Sequence, residues 1–198
     1  VKLIDTFEIL EGVLYSVVYD ETSYGGVNEF RRLLNQWTDR DYLADYFFRN
    51  REKLQSRFWN ELINGDPGAD VEITKAINWT IEEASEFEEE ILKLASGTEK
   101  GKTLDDIFKP LHKEIRKESD NAEFKAYGIY DNSWLRFYAI RYSENLYFIS
   151  GGGIKLSKKM QESEGLDLEL VKLQKVYNYL FNDPEIDSDL LDKLEGEI

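Results

Sequence analysis

Lys155, Lys158 and Lys159 follow directly on the run Gly151-Gly152-Gly153 and lie between acidic neighbours. They form the one local basic feature able to meet a phosphate backbone. Upstream, Arg136, Tyr138, Arg141 and Tyr142 fall within one β-rich run, residues 135–142. On a strand, alternate residues share a face, so Arg136, Tyr138 and Tyr142 point one way and Arg141 the other. At most one of the two arginines therefore belongs to a given site. The chain has no cysteine and a single histidine, His112. Thiol nucleophiles, disulfide scaffolds, Cys-ligated zinc, Ser-His-Asp triads and multi-His metal centres are thereby excluded. Any chemistry must run on Lys, Arg, Tyr, Asp and Glu, and neither a metal nor a cofactor is expected. No Gly-Lys-Ser/Thr helix start follows the glycine run, so it reads as a tight strand exit needing positive φ rather than a nucleotide cradle. His112 reads as a surface residue near a helix end.

These residues need a sheet to hold them. Residues 126–130, 135–142 and 145–150 read as three strands joined by the short connections Asp131-Asn132-Ser133 and Ser143-Glu144, the pattern of an antiparallel meander. Residues 7–10 and 13–19 read as two more strands, with too few partners of their own to stand alone. Between the two groups the periodicity is helical. Asn28 caps a helix with Phe30, Leu33, Leu34 and Trp37 on one face. A restart at Thr38-Asp39 turns Tyr42, Leu43, Tyr46 and Phe47 inward. A further stretch carries Leu54, Phe58, Trp59, Leu62 and Ile63, and residues 64–68 break it. The longest candidate, 73–94, repeats Ile73, Ile77, Ile81, Ala84, Phe87, Ile91 and Leu94, and a short helix over 104–111 follows. The last helix, 166–181, buries Leu170, Leu173, Val176, Tyr177 and Leu180.

The expected fold class is therefore α+β. An antiparallel sheet of two N-terminal strands plus a C-terminal three-strand meander carries a large inserted helical block, about 28–111. Residues 1–182 are expected to form a single domain and 183–198 an acidic C-terminal tail.

At 198 residues, with 41% hydrophobic and 14% aromatic content, the chain can fill a core and is not a disordered polymer. Its net charge of −15 argues against a surface that binds nucleic acid everywhere. Residues 101–160 nevertheless carry a small positive balance between acidic flanks. Glu82, Glu83, Glu86, Glu88, Glu89 and Glu90 read as a solvated helix face. Asp105/Asp106 and Glu82/Glu86 lack calcium-loop spacing. No apolar run is long enough to span a bilayer, and residues 1–5 lack a charged-then-apolar signal pattern. A soluble, cytoplasmic protein with no membrane partner is expected.

The stretch from Trp134 through Tyr142, followed by Asn145 through Met160, resembles the C-terminal half of RelE/HigB-type toxins of bacterial toxin–antitoxin modules. There an arginine-bearing strand precedes a strand ending in small residues, a loop with Lys and Ser/Thr, and a final helix. The match covers about residues 124–181. The resemblance implies a metal-independent endoribonuclease that cuts mRNA, often on the ribosome, and is neutralised by an antitoxin protein. It further implies catalytic roles for Arg136, Tyr138, Lys155 and Lys158, and RNA binding by Arg141, Tyr142 and Lys159. An arginine would clamp phosphate, the lysines would neutralise the backbone or donate a proton, and a tyrosine would stack on a base or transfer a proton. The alternative expectation rests on the acidity: a non-enzymatic protein that recognises a basic protein partner through its acidic surface.

Overall fold

Asn28 closes the first turn of α1 (Glu29–Thr38) by accepting from Arg31 N, and Asp39 opens α2 (Arg40–Arg49) by accepting from Asp41 N and Tyr42 N. Ser56 does the same for α4 (Arg57–Asn64), which follows the single turn α3 (Arg51–Leu54) and ends on Gly65 in the left-handed conformation. The long α5 (Ile73–Ala95) then presents the isoleucine and phenylalanine stripe read from its periodicity. The computed structural model describes residues 2–20, 26–110, 122–129, 133–157 and 166–182. His112, Lys158, Lys159 and the acidic 183–198 segment lie outside the described residues.

Six strands form one mixed sheet in the order β1-β2-β6-β5-β4-β3. They are β1 (Leu3–Leu10), β2 (Leu14–Tyr19), β3 (Phe108–Pro110), β4 (Ala122–Tyr127), β5 (Leu135–Ser143) and β6 (Leu146–Ile154). The β4–β6 meander is antiparallel, and so is the β1–β2 hairpin. The junction between the two groups differs from the expected all-antiparallel sheet: β2 runs parallel to β6, with Leu14 opposite Tyr147 and Ser16 opposite Ile149. A parallel pair needs a long crossover, and the whole helical block supplies it. The helix expected over 104–111 also divides. Its first turn survives as α6 (Leu104–Ile107), capped by a Thr103–Asp106 capping box, and the chain then extends into β3. Phe108 is buried there against Tyr147, ring centroids 4.6 Å apart, and Pro110 suits an edge strand because it lacks an N–H.

The sheet separates two apolar clusters. Leu135, Phe137, Ala139, Tyr147 and Ile149 face α1, α2, α4 and α5 through residues such as Trp37, Phe47, Trp59 and Phe87. Tyr138, Ile140 and Phe148 face α7 (Leu166–Asn182) through Leu173, Val176 and Leu180. The alternation read along β5 therefore holds, with Phe137 and Tyr138 buried on opposite sides. Among the described residues no helix is long and apolar enough to cross a membrane.

Candidate functional site

Cross-strand register determines which charges meet. Lys109 on β3 lies opposite Lys125 on β4, and Tyr127 lies opposite Arg136 on β5. Ala126 and Phe108 are buried on the helical-block side, so Lys109, Lys125 and Tyr127 project from the other face. That face is covered by α7 over β5 and β6, and Tyr127, near the β3 edge, stays 40% exposed. The Lys109 ammonium turns away to Asp105 O, at 3.4 Å.

The Arg136 guanidinium carbon lies over the Tyr127 ring, 4.0 Å from its centroid, and the Lys125 ammonium lies over the same ring at 5.3 Å. Arg136 is only 8% exposed. Its Nη1 donates to the backbone carbonyls of Ser133 (2.6 Å) and Leu135 (2.5 Å), which fixes the side chain without using a carboxylate. Among the described residues, neither Lys125 nor Arg136 has a carboxylate within ion-pair distance. Glu83, buried on α5 against Gly128 and Ser133, adds an attractive field to Arg136 from below. Lys155 follows β6, its N–H bonded to Trp134 O at 2.7 Å, and joins the same group. Burial, then the charges of Arg136 and Lys125, hold its ammonium below the ordinary lysine range. A cation so placed gives up its proton more readily than a surface lysine. Tyr127 also lines a groove of about 750 Å³ between α5 and the β3–β4 edge, where Glu86, Glu89 and Glu90 stand with Lys93, Lys102 and Lys109, and Glu89 is paired with Lys93 at 2.7 Å.

The remaining residues singled out from the sequence go elsewhere. Tyr138 is 1% exposed under α7, and burial pushes its phenol well above the ordinary tyrosine range. Tyr142 stacks on Phe181 of α7 at 5.4 Å. Arg141, on the opposite face, is buried in an ion pair with Asp105 of α6 (2.9 Å), whose other oxygen accepts from Tyr147 Oη at 2.6 Å. That ion pair ties β5 and β6 to α6. Arg136 and Lys155 are thus brought together, while Arg141 is separated from them by the thickness of the sheet.

Lys125 and Tyr127 were missed from sequence because neither is remarkable along the chain. The available signal was register: a three-strand meander with short connections pairs Tyr127 with Arg136 once the turn is placed.

A second charged cluster was also missed, because each of its members looks like a solvated helix residue. Glu29 and Arg32 at the start of α1 meet Glu169 and Lys172 of α7, and all four are buried. Arg32 donates to both oxygens of Glu29, at 2.5 and 2.7 Å. Lys172 Nζ donates to Glu29 (3.1 Å) and Glu169 (2.9 Å). Glu169 in turn accepts from Gly152 N at 2.8 Å, an amide beyond the last residue of β6 that pairs with β2. This explains the glycine run. None of Gly151, Gly152 and Gly153 has positive φ; the strand continues through them, and a side chain at Gly151 would overlap the Glu169 carboxylate. Burial raises the Glu169 carboxyl above its usual range, and Lys172 draws back only part of that shift. Burial pushes the Lys172 ammonium down, but the charges of Glu169 and Glu29 outweigh it and hold it above the lysine range. Tyr19 Oη, donating to Ser150 O at 2.8 Å, is raised by burial and by both carboxylates.

Among the described residues no group of three or more His, Asp or Glu side chains is placed to hold a metal ion. No protein-family model matches the chain, and no curated protein or solved structure matches it.

Proposed function

We propose that this chain is an RNA-directed protein of the RelE/HigB-like kind, with the RNA backbone lying across Lys125, Arg136 and Lys155. One observation carries the reading: in a chain of net charge −15, cations from β4, β5 and the end of β6 converge around a half-exposed phenol. Lys158 and Lys159 extend the same basic segment in sequence. In this reading residues 28–111 are a helical insertion between the N-terminal strands and the meander, and an antitoxin protein masks the cationic face.

The chemistry is transphosphorylation within RNA. The 2′-oxygen bonds to the adjacent phosphorus, its proton passes to water, and the bond to the 5′-oxygen breaks. Arg136 and Lys125 neutralise the charge that builds on the phosphorane oxygens. Lys155, with its lowered affinity for a proton, donates to the departing 5′-oxygen. Tyr138, Arg141 and Tyr142 act as structural residues that set β5 and α7 around this face.

The test is controlled induction in bacteria, reading growth and bulk protein synthesis. The wild-type chain should arrest both; Lys125→Ala/Lys155→Ala and Lys155→Ala/Lys158→Ala should not, while remaining folded. Arrest by every form contradicts the site. No arrest by the wild type favours a second reading that rests on the net charge of −15: an acidic binding protein for a basic partner. Partner binding would then weaken steeply with salt and ignore the lysine substitutions.

A further inference from the structure

We infer that Glu83 of α5 is a positioning residue acting through Arg136, a counter-charge set behind the cationic face that limits how tightly the face holds an RNA phosphate. The assignment rests on the phosphate-binding reading above. Glu83 belongs to a glutamate run whose members Glu82, Glu86 and Glu89 are exposed, yet it is itself fully buried. Space is kept for it: a methyl group at Gly128 would overlap both the Glu83 carboxylate and Ser133 Oγ. Gly128 and Ser133 are parts of the backbone clasp around Arg136. Ser133 O and Leu135 O accept from its Nη1, Leu135 O also accepts from Gly128 N at 3.1 Å, and Ser133 Oγ accepts from Leu135 N at 2.9 Å. One turn earlier on α5, Thr80 Oγ1 accepts from Trp134 Nε1 at 3.1 Å and ties the same segment to the helix.

This placement separates the charge of the carboxylate from its capacity to take up donors. Burial works against the charged guanidinium, while Tyr127, Tyr138 and Glu83 work for it. Of these three, a carboxylate is the group that carries a full charge near neutral pH. Glu83 acts from beyond ion-pair distance, so it attracts Arg136 without occupying the N–H groups that a phosphate would take. The low dielectric of a buried site lets that field act without contact. A bound phosphate and Glu83 therefore compete for one guanidinium. In the free protein the carboxylate offsets the cost of burying Arg136, and in the complex it repels the anion. A side chain that served packing alone would not move stability and affinity in opposite directions.

The experiment measures binding of a labelled single-stranded oligoribonucleotide to the full chain at one fixed salt concentration, beside chemical denaturation of the same proteins. Glu83→Gln keeps the shape and removes the charge, so it should lower stability and yet tighten RNA binding roughly 3- to 10-fold. Arg136→Gln should weaken binding, and adding Glu83→Gln to it should then change affinity by less than about twofold. Glu83→Asp draws the charge back by one methylene and should tighten binding by about twofold. Wild-type or weaker binding by Glu83→Gln, with Arg136→Gln still defective, overturns the inference and leaves the phosphate reading standing. Where Glu83→Gln does not fold, unaltered or weaker binding by Glu83→Asp overturns it in the same way. Equal tightening with and without Arg136 overturns it too, since the carboxylate would then act by another route. Failure of the wild type to bind RNA overturns the phosphate reading and this inference with it.

Discussion

At the C-terminal end of β6, Glu29, Arg32, Glu169 and Lys172 are buried, and each meets an opposite charge at 3.1 Å or less. On β4 and β5, Lys125 and Arg136 meet an aromatic ring instead, and the Glu83 carboxylate acts on Arg136 only from beyond ion-pair distance. The first cluster is closed. Two carboxylates face two cations, a backbone amide takes up a further oxygen, and α1 is joined to α7 by the result. The second is open: its cations are positioned by carbonyl oxygens and a ring, which orient without neutralising. Buried charge in this protein thus does two separable things. Where compensated it fixes helices, and where uncompensated on a half-open face it leaves an attraction for an anion from outside.

Breaking the closed cluster should have the larger effect on stability. Glu169→Ala leaves Lys172 with half its partners and Gly152 N with none, and should cost about 3–5 kcal/mol in chemical denaturation. Glu169→Gln keeps an acceptor for Gly152 N, so it should cost less and change the pH dependence. Burial holds the folded-state carboxyl of Glu169 above its ordinary value; Lys172 on α7 and Arg32 on α1 draw part of that back, and Glu29 on α1 adds to it. The folded protein therefore holds that proton more tightly than the unfolded chain. This one contribution makes stability fall as pH rises from the ordinary glutamate value, about 4.3, to the raised one. Denaturation across that window should show the decline in wild type, and a smaller one in Glu169→Gln.

The open cluster should behave in the opposite way. Lys125→Ala removes a repulsion with Lys155, so stability should stay within about 0.5 kcal/mol of wild type or rise slightly. The same change removes one of the charges holding Lys155 below the lysine range. The alkaline limb of RNA cleavage, where Lys155 loses its proton, should therefore move to higher pH in Lys125→Ala. A limb that stays in place would detach Lys155 from the proton transfer.

Much of the fold follows from short-range pattern. The apolar stripes of α1, α2, α4 and α5, a three-strand meander, and the opposite faces of Arg136 and Arg141 are all written in spacing a few residues long, although the meander's first strand runs over Ala122–Tyr127 and not over the expected 126–130. What is not local escaped. The parallel pairing of β2 with β6 joins segments 133 residues apart, as Ser16 Oγ and Ile149 O show, and nothing in either segment encodes the direction. The three residues of β3 are too few for a period. Glu169 and Lys172 look solvated until α7 is placed over the glycine run, and the run looks like a turn until Glu169 is seen beside Gly151. The candidate site was half legible. Arg136 and Lys155 carry their charge openly in the sequence, but Lys125 and Tyr127 acquire meaning only through register.

The most direct test of the central claim is the salt dependence of single-stranded RNA binding by wild type and by Lys125→Ala/Lys155→Ala, between about 50 and 200 mM salt. If β4, β5 and the end of β6 form the phosphate-binding face, wild-type affinity falls linearly on a log–log plot. The double variant then binds more weakly, with a slope shallower by about 1.4, two contacts at roughly 0.7 each. Equal affinities and equal slopes in the two proteins would contradict the account and place any RNA contact on another surface.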